Sequence, residues 1–187
     1  MKISKQLPAA LAVLALLVLA SAAFAEQAPQ KVYDLAKGEL AAYGTDPVIV
    51  AAVKAQNAKR MSMADIEAMD GKWKAESGVA PYMRALMDSE CGKRLQELRD
   101  SKPYFAEIFV MDGQGADVAM SDKTSDYWQG DEAKFQKSFA GGSGAVFVDE
   151  VEFDDSTQNY LVQVSVPVMD GGRAIGAITF GIAVDNI

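Results

Sequence analysis

Two large rings stand side by side in a polar stretch, Thr124-Ser125-Asp126-Tyr127-Trp128-Gln129-Gly130. Tyr and Trp expose broad apolar faces, so a loop carrying both must have them covered by the protein's own core or by a ligand. Each ring is a candidate wall of a small-molecule pocket and equally a candidate plug. Asp126 beside them could bond a ligand amine or cap its own turn. Arg84 is a lone cation among Met83, Leu86 and Met87; it could hold a carboxylate through a bidentate bond, or stand solvated. Gln163 and Ser165 point the same way from one strand, opposite a run of valines. Once buried they need partners, which a ligand, water or a neighbouring loop would supply. The last strand has one small face, Ala177, Thr179, Gly181 and Ala183, which leaves room for something to lie against the sheet.

These residue types bind; they do not turn over substrate. The chain contains no His, which rules out Ser-His-Asp and Cys-His nucleophilic sites. Cys91 is the only cysteine, too few for ordinary zinc ligation, and no haem-attachment motif is present. The thiol could pair between chains or bind a metal; the plainer reading is a small, half-buried helix residue. Gly141-Gly142-Ser143-Gly144 lacks the Lys and Ser/Thr of a phosphate-binding loop and reads as a turn. The stretch from Asp112 to Asp117 lacks the alternating acids of a calcium loop, and Lys123 stands where the bidentate Glu would be. Glu150, Glu152, Asp154 and Asp155 could pose as paired catalytic carboxylates. At a strand end they read as solvated charge. The expectation is a protein that is not an enzyme and uses no cofactor and no metal.

The first 25 residues read as a secretory signal peptide. Lys2 and Lys5 supply the positive start, an apolar run follows, and Ala23-Phe24-Ala25 is a small-residue cleavage site before Glu26. No later run approaches the ~20 apolar residues that span a bilayer. The expected mature protein is a single domain over 26–187, exported to the periplasm and without a membrane span. The formal net charge is −8, and without the two leader lysines it is −10. That acidity, with no Lys/Arg runs, excludes a nucleic-acid partner.

A helical half, 26–103, precedes a sheet half, 104–187. Val32, Leu35, Ala36, Leu40 and Tyr43 fall at helical spacing, and Gly44 ends that helix. Asp46-Pro47 opens a second helix, with Asp as N-cap and Pro at the first helical position. Ser62 and Asp65 begin a third, whose apolar face carries Ile66, Met69 and Trp73. Pro81 begins a fourth segment, with a weak point at Gly92 and an end at Pro103. From Tyr104 the period becomes two. Phe105, Glu107, Phe109 and Met111 share one face, and a turn at 112–115 leads into the return strand from Asp117 to Ser121. The aromatic loop and a helix from Asp131 to about Ala140 follow. Three strands close the chain, the last two joined by a tight turn at Asp170-Gly171-Gly172.

The order strand, strand, loop, helix, strand, strand, strand resembles the Cache group of extracytoplasmic sensor domains, also called PDC sensors, which are PAS-like. The likeness rests on Glu107-Ile108-Phe109-Val110-Met111-Asp112, on residues 121–132, on Gln163-Val164-Ser165-Val166-Pro167-Val168 and on residues 175–181. It implies an α+β fold with a five-stranded antiparallel sheet, a long N-terminal helix and further helices packed on it. It also implies a small polar ligand (an organic acid, amino acid or amine) held between the sheet and the loop 122–130. Tyr127, Trp128, Asp126, Arg84, Gln163, Ser165 and Thr179 would line that site. Members of the group signal through a membrane receptor or kinase; this chain, without a second span or an output domain, implies a stand-alone form. The complete motif of the amino-acid-binding branch is missing, which leaves the ligand open. A structural or interaction module with a collapsed pocket is the alternative.

Overall fold

A computed structural model describes residues 27–154 and 159–187. The expected signal peptide and its cleavage site lie outside the described residues.

The sheet is the centre of the molecule. Its five strands are β1 (Phe105–Met111), β2 (Asp117–Met120), β3 (Phe147–Asp154), β4 (Asn159–Asp170) and β5 (Arg173–Ala183), all antiparallel, in the order β2-β1-β5-β4-β3. The period-two valines explain why β4 lies inside the sheet, between β5 and β3. Val162, Val164, Val166 and Val168 are all fully buried on one face, and each contributes on the order of 1.5–3 kcal/mol by leaving water. Gly171 and Gly172, with φ of 57° and 83°, make the two-residue turn that joins β4 to β5.

That valine face packs against three helices. They are α1 (residues 30–43, with a π-helical turn over Ala36–Leu40), α2 (Pro47–Ala58) and α5 (Glu90–Asp100). Asp46 caps α2 by accepting from the amides of Val48 and Ile49 at 2.9 and 3.4 Å. The opposite face meets α3 (Met63–Ala75), α4 (Pro81–Met87), the aromatic loop and α6 (Ala133–Phe139). The fold class is thus the expected one, α+β on a five-stranded antiparallel sheet. Among the described residues no helix is long and apolar enough to cross a membrane.

Three local expectations are corrected. The segment from Pro81 breaks at Asp88-Ser89, not at Gly92. Ser89 caps α5 by accepting from the Gly92 amide at 2.9 Å, and Gly92 lies inside α5 against the carbonyls of Leu86 and Met87. Phe105 leaves the face of Phe109 and Met111, because a β-bulge between Phe105 and Glu107 swings its ring onto the valine side. The last helix starts later than Asp131. Its N-cap is Glu132, whose carboxylate makes no capping bond and pairs instead with Lys134 at 2.8 Å.

Candidate functional site

The sheet face opposite the valines is organised in rows. Across β4, β5 and β1, Gln163 stands beside Gly181 and Glu107, and the next row is Ser165, Thr179 and Phe109. Gly181 leaves its row open at the middle. A Cβ there would come within 2.6 Å of Glu107 Cγ. The gap lets Gln163 Nε2 reach across β5 and donate to Glu107 Oε1 at 3.2 Å. In the row beneath, the Ser165 and Thr179 hydroxyls are fully buried and bond each other at 2.7 Å. They form the polar floor of the face.

Helix α6 lies over these rows, packed on β3, β4 and β5. It buries Lys134, Phe135 and Ser138. The Lys134 ammonium sits 5.3 Å from the Phe109 ring centroid while it pairs with Glu132. Ser138 Oγ has no partner among the described residues. Where α6 meets the β3–β4 hairpin, a cavity of about 190 Å³ opens, with Gln163, Lys134, Glu132, Glu150, Glu152 and Phe153 in its wall. Burial raises the Glu107 carboxyl above its ordinary range, and the Gln163 bond and the Lys134 charge partly offset this.

The aromatic loop lies elsewhere, along β2. Tyr127 and Gln129 pair with Asp117 and Gly115 through backbone bonds of 2.9 and 2.8 Å. The space expected between loop and sheet is filled by the protein itself. The Tyr127 ring is buried 5.6 Å from that of Trp73, its hydroxyl meets Gln56 Nε2 at 3.4 Å, and burial pushes its pKa up to about 12. Trp128 is half-buried and closes over the turn of the first hairpin, with Nε1 donating to the Gln114 carbonyl at 2.9 Å. Asp126 caps locally, accepting from Gln129 Nε2 at 2.6 Å and from the Ser125 hydroxyl at 2.7 Å. Arg84 is exposed on α4. The structure therefore brings Gln163, Ser165 and Thr179 together. It places Asp126, Tyr127 and Trp128 in a separate structural loop and leaves Arg84 apart from both groups.

Four residues that the spacing arguments passed over organise these two regions. Lys134 lines the cavity and Glu107 holds the Gln163 of its wall, while Asp117 and Asp70 belong to the loop. The signal for Glu107 was an acid inside an otherwise apolar period-two face; for Asp70 it was a position three residues before Trp73 on the same helix face. Asp70 Oδ1 accepts from the backbone amides of Tyr127 and Trp128 at 3.0 and 3.1 Å, and Oδ2 meets Lys74 at 2.6 Å. Asp70→Ala leaves two amides without an acceptor, so we expect a loss of about 2–4 kcal/mol. Asp70→Asn, which keeps an oxygen in place, should lose clearly less. Denaturant midpoints of the two variants check the ordering; equal losses would refute the clamp. Cys91 is buried on α5, and burial pushes its pKa up to about 12, so the thiolate is disfavoured.

No family model and no curated protein matches the chain. Its neighbours are solved sensor domains. The sensory domain of the Campylobacter jejuni chemoreceptor Tlp3, with isoleucine bound, is 16% identical over 82% of this chain and 58% of that one, with a TM-score of 0.39. The extracellular domain of the candidate histidine kinase rpHK1S-Z16 is 15% identical over 82% and 57%, with a TM-score of 0.41. The ligand-binding domain of the Pseudomonas aeruginosa amino acid chemoreceptor PctC, in complex with GABA, is 15% identical over 84% and 62%, with a TM-score of 0.37. The chain spans less than two thirds of the length of each of these domains.

Proposed function

We propose that this is an exported sensor domain that binds a small polar metabolite bearing an amine and reports it to a membrane receptor or kinase. The observation that supports this most is the Gln163–Glu107 pair, which crosses the open middle of β5 beside the 190 Å³ cavity. Gln163 and the cavity acids would take the amine, Glu107 would hold Gln163 in register, and Ser165 and Thr179 would serve as the floor. An organic acid fits this wall poorly. Acidic side chains outnumber the one lysine, and Lys134 already has Glu132 as its partner. Tyr127, Trp128 and Asp126 would act indirectly, by fixing the loop that leads into α6. Arg84 has no role in this arrangement.

The test is a thermal-shift screen of diamines, amino acids and dicarboxylates. At a hundredfold excess over its Kd, an authentic ligand stabilises by about 2.7 kcal/mol, roughly 5–10 °C in a domain of this size. Amines should produce the shift and dicarboxylates should not. Glu107→Gln should weaken the amine roughly tenfold or more while the fold persists. A shift by dicarboxylates alone, or one unaffected by Glu107→Gln, would count against the site.

A second reading, an interaction module without a ligand, draws on the filled aromatic side. Trp73, Tyr127, Phe135 and Met111 close that part of the sheet face. An open groove of about 560 Å³ lies instead between α2 and the α4–α5 corner, lined by Ala51, Ala52, Ala55, Leu86 and Val118. This reading expects no metabolite to move the melting temperature.

A further inference from the structure

We propose that the aromatic loop is locked to the sheet through a neutral Asp117, which makes its attachment dependent on a proton. The argument is a count of hydrogens. Thr124 Oγ1 lies 2.7 Å from Asp117 Oδ2 and 2.8 Å from the backbone carbonyl oxygen of Asp126. A hydroxyl has one proton and can donate to one of them. With Asp117 ionised, one of these two short contacts joins a pair of oxygens with no hydrogen between them. With Asp117 protonated, both contacts become hydrogen bonds. Asp117 Oδ2–H donates to Thr124 Oγ1, and the Thr124 hydroxyl donates onward to the Asp126 carbonyl.

The surroundings favour the same state. Asp117 is fully buried, and its Oδ1 has no hydrogen-bond partner among the described residues. A charged oxygen left bare in the interior is costly. The charged groups that face it are Asp126 from the loop and Glu107 from β1, both acids, and Lys134 from α6, which is paired with Glu132. Tyr127, the titratable ring of the same loop, stays neutral. Burial holds the Asp117 carboxyl well above the usual range, against the lowering effect of the Thr124 bond and Lys134.

Thr124 is where the lock acts. Its carbonyl accepts from Trp73 Nε1 at 2.9 Å, so α3, β2 and the loop meet at this one residue. The sign follows from the direction of the shift. A carboxyl raised in the folded state contributes stability that is complete below its unfolded pKa, near 3.9, and is lost as pH rises toward its folded value. In that window the melting temperature should fall by roughly 3–5 °C per pH unit on account of Asp117.

Asp117→Asn tests the lock, because an amide N–H stands in for the acid O–H. Melting temperatures of the full chain and of the variant are compared from pH 4.5 to 8. We expect the variant to lack the Asp117 share of the slope and to melt at or above wild type at pH 8. The Trp73 indole N–H resonance should move with pH in wild type and stay still in the variant. A variant that keeps the whole wild-type slope overturns the proposal. Should Asp117→Asn not fold, the carboxyl carbon resonance of Asp117 in wild type decides: the protonated position at pH 7 supports the lock, and the ionised position overturns it.

Discussion

Truncating Trp73 to Ala should cost about 3–5 kcal/mol, the range for emptying a large aromatic site in a core. The indole is 1% exposed and sits between Tyr127 and Tyr82, with ring centroids at 5.6 and 6.0 Å. Its Nε1–H also donates to the Thr124 carbonyl, which would be left without that partner. Neighbouring rings cannot collapse into the space, because Asp70 fixes Tyr127 through its backbone amide. Trp128→Ala removes a side chain of the same size from a half-buried place over a turn, where water can replace the lost contacts. We expect that loss to be about 1–2 kcal/mol. Denaturant midpoints of the two variants measure the difference. Equal losses would mean that Trp128 is as much a part of the core as Trp73.

The second large effect is expected at Gly92, where one added methyl group should cost about 3 kcal/mol. Its Cα faces the carbonyl oxygens of Leu86 and Met87, the last turn of α4, and a Cβ would run into both. Those atoms are backbone and cannot rotate away. Gly92→Ala would therefore push α5 from α4 and stretch the Ser89 Oγ bond that caps α5. Gly71, in the middle of α3, is the control: a Cβ there meets nothing within 4 Å. Gly71→Ala should be neutral or stabilising, since Ala is the better helix former by roughly 1 kcal/mol. Thermal melts of the pair decide. A mild Gly92→Ala would show that the α4–α5 corner yields easily.

These two cases mark what periodicity can convey. Trp73 was legible as core because Ile66, Met69 and Trp73 repeat at helical spacing, and a stripe on a helix must be buried by something. Gly92 was legible only as a weak helix former. That it permits two helices to touch depends on where α4 points after Ser89, which no local pattern carries.

The sequence by itself determined the α+β class, the helical half before the sheet half, the strand alternation, the caps at Asp46 and Ser62 and the turn at Gly171-Gly172. Each of these follows from interactions within a few residues, or from the need of a periodic face to be buried. It also determined that Gln163 and Ser165 share a face, since a strand's side chains alternate with period two, whereas Thr179 joins them through the register of β5 on β4. Only the tertiary structure decided what stands opposite them. The open middle at Gly181, Glu107 reaching Gln163 across it, and Lys134 above Phe109 come from three strands and a helix meeting in one register. The same holds for the two rings. Tyr127 and Trp128 are neighbours in the chain, yet one is core and the other half-exposed, because Asp70 on a distant helix grips their amides and pairing with β2 turns alternate residues of the loop to opposite sides. Composition and spacing assign a residue its chemistry and its face, whereas the partner it meets is set by packing between elements far apart in the chain.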